Sequence, residues 1–189
     1  MMSDMTILQR LGMAIDRRYL KKVAATGIPG SKNQLLLICF HGYHGKTKLD
    51  INGTIINPGD SIAEFHLSNK RIADMGREDS SRSMEWRMLE VLKDEFAALA
   101  EACSNNIISG QVQGFYGVNV LTAGAKRLGF TLVPIPKGWN HWWLSFWESV
   151  LRRIFYSYKT KKKATFQKPK EAFEVWITRK ELMKRYIRV

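Results

Sequence analysis

Cysteine is scarce in this chain of 189 residues: only Cys39 and Cys103 occur. A small secreted fold is usually stapled by several disulfides, so two thiols point to a reducing, cytoplasmic setting. Long apolar runs are missing as well. No stretch reaches the roughly 18 consecutive apolar residues that a membrane span needs, which leaves a soluble or peripheral protein as the expectation. The opening MMSDMTILQRLGMAIDRRYLKK mixes acidic and basic residues into its apolar stretch and does not have the form of a signal peptide. Acidic residues are the third scarcity, with 17 Asp+Glu against 30 Lys+Arg and a net charge of +13. The imbalance is local. Residues 1–136 hold 16 basic and 13 acidic residues, whereas residues 137–189 hold 14 and 4. A polyanionic partner for the last quarter follows as an expectation, an anionic membrane surface before a nucleic acid.

Recognisable reaction signatures are also few. The glycines Gly110, Gly114 and Gly117 form neither a phosphate loop with its Lys-Ser/Thr nor a dinucleotide fingerprint, and they suggest an irregular backbone. No helix-turn-helix, zinc-finger or RNA-recognition pattern supports nucleic acid as the partner. Cys39, His41 and His44 make a C-x-H-x-x-H string without the paired spacing of a secure zinc site, and the plainer role for the histidines is at a strand end and loop. The sequence thus implies no metal and no cofactor. What remains is Asp60, Glu64, His66 and Asn69. On a regular strand Glu64 and His66 share a face, where a carboxylate and an imidazole can exchange protons with a substrate. The bland alternative has Asp60 closing a turn after Pro58-Gly59, while His66 and Asn69 satisfy backbone groups.

What is present is a mixture of helix and strand signals. Residues 4–25 repeat apolar positions at three- and four-residue steps and end in Arg17, Arg18, Lys21 and Lys22, as a helix should. Gln34–Phe40 is an apolar run suited to a buried strand. Asn52-Gly53 between two short β-prone runs predicts a tight hairpin, and Ser61–Leu67 a further strand. The polar residues 70–80 read as a loop. Ser83–Cys103 is a long helix with Met84, Met88, Val91, Leu92, Phe96 and Leu99 on its buried face. Ile107–Phe115 is a strand or extended segment, Val118–Leu128 a short helix capped by Gly129, and Phe130–Ile135 a strand. Glu174–Ile177 is a last strand, and Thr178 with Glu181 is a capping box that opens a final helix. The elements do not alternate as βαβ units. The expected class is α+β in a single domain, a small, mainly antiparallel sheet packed with four to five helices. Residues 1–33 form an N-terminal helix and linker, and residues 34–189 the domain proper.

The most distinctive stretch is GWNHWWLSFWESVLRRIFYSYKTKKK, residues 138–163. At helical spacing Trp139, Trp142, Trp143 and Trp147 fall on an apolar stripe, with Arg152 and Arg153 on the other face and Lys159, Lys161, Lys162 and Lys163 beyond. Tryptophan favours a membrane interface, and each basic residue near an anionic leaflet contributes on the order of 1 kcal/mol. The same stripe also suits packing on a sheet. Both readings of the helix over 139–158 stand.

Three segments carry a family resemblance. The GD-x-x-x-E-x-H-x-x-N pattern occurs at Gly59, Asp60, Glu64, His66 and Asn69. An LGF segment follows at Leu128, Gly129 and Phe130. The ending has Glu174, Val175, Trp176, Ile177, Thr178, Glu181, Leu182 and Tyr186 in order. Over roughly residues 34–187 the chain resembles the bacterial YkoP-like domain family, which occurs alone or joined to polysaccharide-deacetylase-like domains. The resemblance implies a cell-envelope association and no established reaction, and the metal-binding segments of a deacetylase are absent from this sequence. The combined expectation is a peripheral protein at the inner face of the cell membrane, serving envelope or lipid-linked metabolism. An enzyme using Asp60, Glu64 and His66 on a polar or lipid-linked substrate is the alternative, with non-specific nucleic-acid binding third.

Overall fold

The computed structural model describes residues 14, 17–45, 47–78, 81–119, 122–135 and 173–187. Residues 17–22 are helical. Eight strands follow in chain order: β1 (Thr26–Gly27), β2 (Leu36–Gly42), β3 (Leu49–Ile51), β4 (Thr54–Ile56), β5 (Ser61–Leu67), β6 (Gly114–Asn119), β7 (Thr131–Pro134) and β8 (Phe173–Thr178). The helices between and after them are α1 (Asn69–Arg77), α2 (Met84–Ser104), α3 (Thr122–Arg127) and α4 (Arg179–Tyr186). The class is α+β.

The main sheet is larger than the sequence predicts, and it is mixed. Its six strands run in the order β1-β2-β5-β6-β8-β7, with β3 and β4 as a separate hairpin. All neighbours pair antiparallel except β5 and β6, which are parallel. A parallel neighbour needs a crossover rather than a hairpin, and α1 and α2 supply it between the end of β5 and the start of β6. The helix α1 replaces the loop expected at 70–80. Ser68 caps it by accepting from Arg71 N, Lys70 and Asp74 pair one turn apart, and Ile72 and Met75 are buried. Two large apolar residues among nine are a weak periodic signal, yet they suffice once Leu35 and Met88 are there to receive them.

Elsewhere local chemistry matches the elements. Asn52 and Gly53 both take positive φ, 51° and 82°, as a two-residue hairpin turn between β3 and β4 requires. Gly129, at φ 88°, ends α3 in a left-handed cap: its N–H donates to Lys126 O and that of Phe130 to Ala125 O. The Thr178 hydroxyl accepts from Glu181 N at 3.1 Å, opening α4. Arg179 then donates to Ser109 O at 2.8 Å and also reaches the carbonyls of Cys103 and Ile108, which ties α4 to the end of α2. Gly114 and Gly117 lie inside β6 rather than in irregular backbone. A side chain at Gly114 would meet Ile56 of the hairpin at 3.1 Å, and one at Gly117 would meet Phe65 at 3.3 Å. Both glycines let neighbours approach closely.

The two faces of the sheet have different cover. One face packs under α2, α3 and α4 around Ile38, Ala63, Phe96, Phe115, Phe130 and Ile177, with Phe65 among them. The opposite face is covered at one end by the hairpin, where Ile51, Ile56, Ile62 and Trp176 form a smaller core. Its other end meets Tyr19 of the N-terminal helical residues. Among the described residues, no helix is long and apolar enough to cross a membrane.

Candidate functional site

Chemistry-bearing side chains gather on the sheet face opposite α2. Alternation along β5 sends Ile62, Glu64 and His66 there, while Ala63 and Phe65 enter the helix-side core. Strand register supplies the neighbours. Cys39 of β2 stands across from Glu64 on one side, and Tyr116 of β6 on the other. His41 shares the face of Cys39 two residues along.

Two imidazoles address one carboxylate. His41 Nε2 lies 3.6 Å from Glu64 Oε2, and His66 Nε2 lies 3.8 Å from Glu64 Oε1. Cys39 Sγ is 3.4 Å from the same nitrogen of His66. One donor atom each from Cys39, Glu64 and His66 falls within 4.8 Å of the others. The imidazole–carboxylate separations exceed the roughly 2.7–3.2 Å of a direct N–H···O hydrogen bond, so these groups converge without closing on one another. The far side of His41 is fixed. Its Nδ1 is 2.8 Å from Gly42 O, which can only accept, so that nitrogen carries the proton. Neutral His41 therefore presents a bare Nε2, and the Tyr116 hydroxyl donates to it at 3.3 Å.

Rings wall the cluster. Tyr19 meets His66 edge-on at 5.4 Å, His44 stacks on His41 at 5.3 Å, and Tyr116 stacks on Trp176 at 4.7 Å. Side-chain exposures of 25% for His41, 21% for Glu64 and 14% for His66 leave the polar atoms within reach of solvent. Burial sets the protonation pattern. It pushes His66 below the ordinary histidine value, with His41 acting the same way and the Glu64 carboxylate opposing. It pushes the Cys39 thiol up, and the Glu64 charge adds to that. The Tyr116 hydroxyl is raised by burial and then by Glu64. At neutral pH the site thus pairs a neutral imidazole with a protonated thiol and phenol. Cys39 lacks the electropositive surroundings of an activated nucleophile, so proton transfer and ligation are the chemistries left.

The structure brings together only part of the set predicted from sequence. Glu64 and His66 meet. Asp60 precedes β5 by one residue, which separates it from Glu64 by about 13 Å along an extended strand. Its carboxylate accepts from Asn57 N at 2.7 Å and Asn57 Nδ2 at 3.2 Å, holding the turn. Asn69 is buried in the first turn of α1. Cys39 and His41 of the C-x-H-x-x-H string do enter the cluster, but their partners are Glu64, His66 and Tyr116, while His44 stacks on the His41 ring. From the sequence Tyr19 is only one of the apolar repeats of the N-terminal helix, and Tyr116 has no role at a site. A usable signal existed: Cys39-x-His41 and Glu64-x-His66 are two strands that each carry reactive types at alternate positions. Trp139, Trp142, Trp143, Trp147, Arg152, Arg153, Lys159, Lys161, Lys162 and Lys163 lie outside the described residues.

No curated protein and no solved structure matches the chain. A family model does match, over residues 5–186, and that span takes in both strands of the cluster and almost the whole sequence. The chain belongs to the YkoP domain family.

Proposed function

We propose that this protein is an enzyme of bacterial envelope metabolism that moves protons on a small polar substrate at the Cys39–Glu64–His66 cluster. One observation carries the proposal: two imidazoles approach the two oxygens of one carboxylate on a solvent-reachable sheet face, with a thiol and a phenol beside them. A folded domain gains little from holding two imidazoles beside a partly desolvated carboxylate at distances too long for direct imidazole–carboxylate hydrogen bonds, so those contacts add little to stability. In this reading neutral His66 takes the proton, Glu64 steadies the imidazolium that forms, and Tyr116 donates to charge developing on the substrate. The envelope assignment rests on the family resemblance.

The test compares wild-type protein with Glu64→Gln, each incubated with a bacterial envelope and metabolite extract followed by mass spectrometry. Wild type should consume at least one polar compound that the variant leaves intact. Identical profiles would remove the enzymatic reading.

Attachment to an anionic membrane is a second reading, favoured by the 14 basic against 4 acidic residues of positions 137–189. It is compatible with the first. Co-sedimentation with anionic but not neutral vesicles, weakening as salt rises, is the expected result. Equal indifference to both would sink it.

A further inference from the structure

We propose that Cys39, Glu64 and His66 bind a single zinc-class divalent metal ion, with a fourth position left open to water. The proposal refines the enzymatic reading above, on which it rests for its role. With Nε2 held by the ion, His66 would no longer act as the base, and the open position would meet the substrate. The site itself stands on geometry of its own. Zinc holds a thiolate at about 2.3 Å, and imidazole nitrogen or carboxylate oxygen at about 2.0–2.2 Å, in a tetrahedron. Those lengths at a tetrahedral angle put sulfur and nitrogen about 3.5 Å apart, and nitrogen and oxygen about 3.4 Å apart. The observed separations are 3.4 Å between Cys39 Sγ and His66 Nε2, and 3.8 Å between His66 Nε2 and Glu64 Oε1. All three donor atoms fall within 4.8 Å of one another. The carboxylate–imidazole distance is too long for a good hydrogen bond and close to that of two ligands sharing an ion.

Donor type agrees with donor spacing. A thiolate, an imidazole and a carboxylate form a mixed soft and borderline set, which suits zinc or another late first-row metal and not magnesium or calcium. Strand geometry holds the ligands. Glu64 and His66 are alternate residues of β5, and Cys39 is the direct cross-strand neighbour of Glu64, so regular pairing alone keeps the three donors together. The second carboxylate oxygen faces His41, whose ring is oriented by Gly42 O and Tyr116. Metal-bound carboxylates and imidazoles elsewhere have supports of this kind. Three protein ligands and an open position are the arrangement of catalytic rather than structural zinc. Ligation displaces the thiol proton to solvent, and no electron changes hands.

Cobalt(II) is the direct probe, since zinc itself is colourless. Full-length protein, stripped with chelator and dialysed, is titrated with cobalt chloride and followed by absorption. We expect one equivalent to bind, giving a thiolate-to-cobalt charge-transfer band in the near ultraviolet and strong visible bands of a four-coordinate site. Zinc should bleach both, because it binds such ligands more tightly than cobalt does. Cys39→Ser should abolish the charge-transfer band, and His66→Gln should weaken binding at least tenfold, with circular dichroism confirming that each variant is folded. Cys103→Ser should change nothing. A wild-type protein that takes up no cobalt, or a band that survives Cys39→Ser and disappears with Cys103→Ser, overturns the site. The two proposals fail separately. Without cobalt binding but with a Glu64-dependent metabolite change, the metal falls and the enzyme stands. Cobalt binding with identical metabolite profiles upholds the metal and removes catalysis.

Discussion

The central strand β5 carries two unlike surfaces. Ala63 and Phe65 enter a core with Phe96, Phe115, Phe130 and Ile177, whereas Glu64 and His66, one step away along the chain, join Cys39, His41 and Tyr116. Side chains alternate at a period of two, so one strand serves stability on one face and chemistry on the other. The helix-side face is dense in aromatics: the ring of Phe65 stacks on Phe115 at 5.8 Å and meets Phe96 at 5.5 Å. On the other face the polar atoms are near one another but imperfectly partnered. The contrast predicts that the fold depends more on the first face than on the second.

The largest expected effect breaks the helix-side face. Phe115 is fully buried, and Phe115→Ala should lower the unfolding free energy by about 3–5 kcal/mol. Glu64→Gln, on the opposite face of the neighbouring strand β5, should leave it unchanged or raise it, as is common when a functional charge is removed. Denaturant melts of the two variants measure the difference directly, and equal losses would mean that the cluster is structural.

Glu95 sharpens the comparison from within the core. It is a completely buried carboxylate of α2, and its Oε1 accepts from Leu35 N at 2.9 Å while Oε2 has no hydrogen-bond partner among the described residues. Glu95→Leu should cost about 1–3 kcal/mol, because the buried N–H of Leu35 is left without an acceptor. Glu95→Gln keeps an acceptor and should cost clearly less in the same melt. Reversal of that order would show that desolvating a polar side chain there outweighs the hydrogen bond to Leu35 N.

Tyr186 caps the aromatic core by donating to Leu128 O at 2.9 Å, and burial raises its hydroxyl above the ordinary tyrosine value. Tyr186→Phe should lose about 0.5–1.5 kcal/mol. Because the folded value is raised, that contribution is complete below the unfolded tyrosine value and fades as pH climbs through the folded one. The gap between variant and wild type should therefore narrow in alkali.

The smallest effect lies on the surface of the crossover. Arg71 donates to Glu78 at 2.7 Å and Arg87 pairs with the same carboxylate, so Glu78 sits below the usual carboxylate value. A depressed carboxylate contributes stability above its unfolded value and loses it as pH falls through the folded one. Glu78→Gln should flatten the acid limb of a stability–pH curve, and salt should shrink the effect because the group is exposed. An unchanged acid limb would assign no net role to the pairing.

Features governed by a few neighbouring residues could be read from the chain itself. Asn52-Gly53 dictates its turn through the dihedral angles those residues tolerate, Gly129 ends α3 for the same reason, and Thr178 with Glu181 opens α4 by a hydrogen bond spanning three residues. Ser61–Leu67 was legible as a strand because its register of apolar residues is local too. Long-range facts were not. The six-strand mixed sheet depends on the crossover through α1 and α2, and α1 has Ile72 and Met75 as its large apolar anchors on a mostly polar background. The site shows the same division. Alternation placed Glu64 beside His66, but only the pairing of β2 with β5 brings Cys39 opposite Glu64, and only the parallel docking of β6 adds Tyr116. Asp60, near in sequence, is taken by its own turn. Sequence by itself determined the turns, caps, strand periods and basic last quarter, because each arises from backbone preference or composition over short spans. Tertiary structure alone decided which reactive side chains meet, because inter-strand register is set by burial on both faces of the whole sheet.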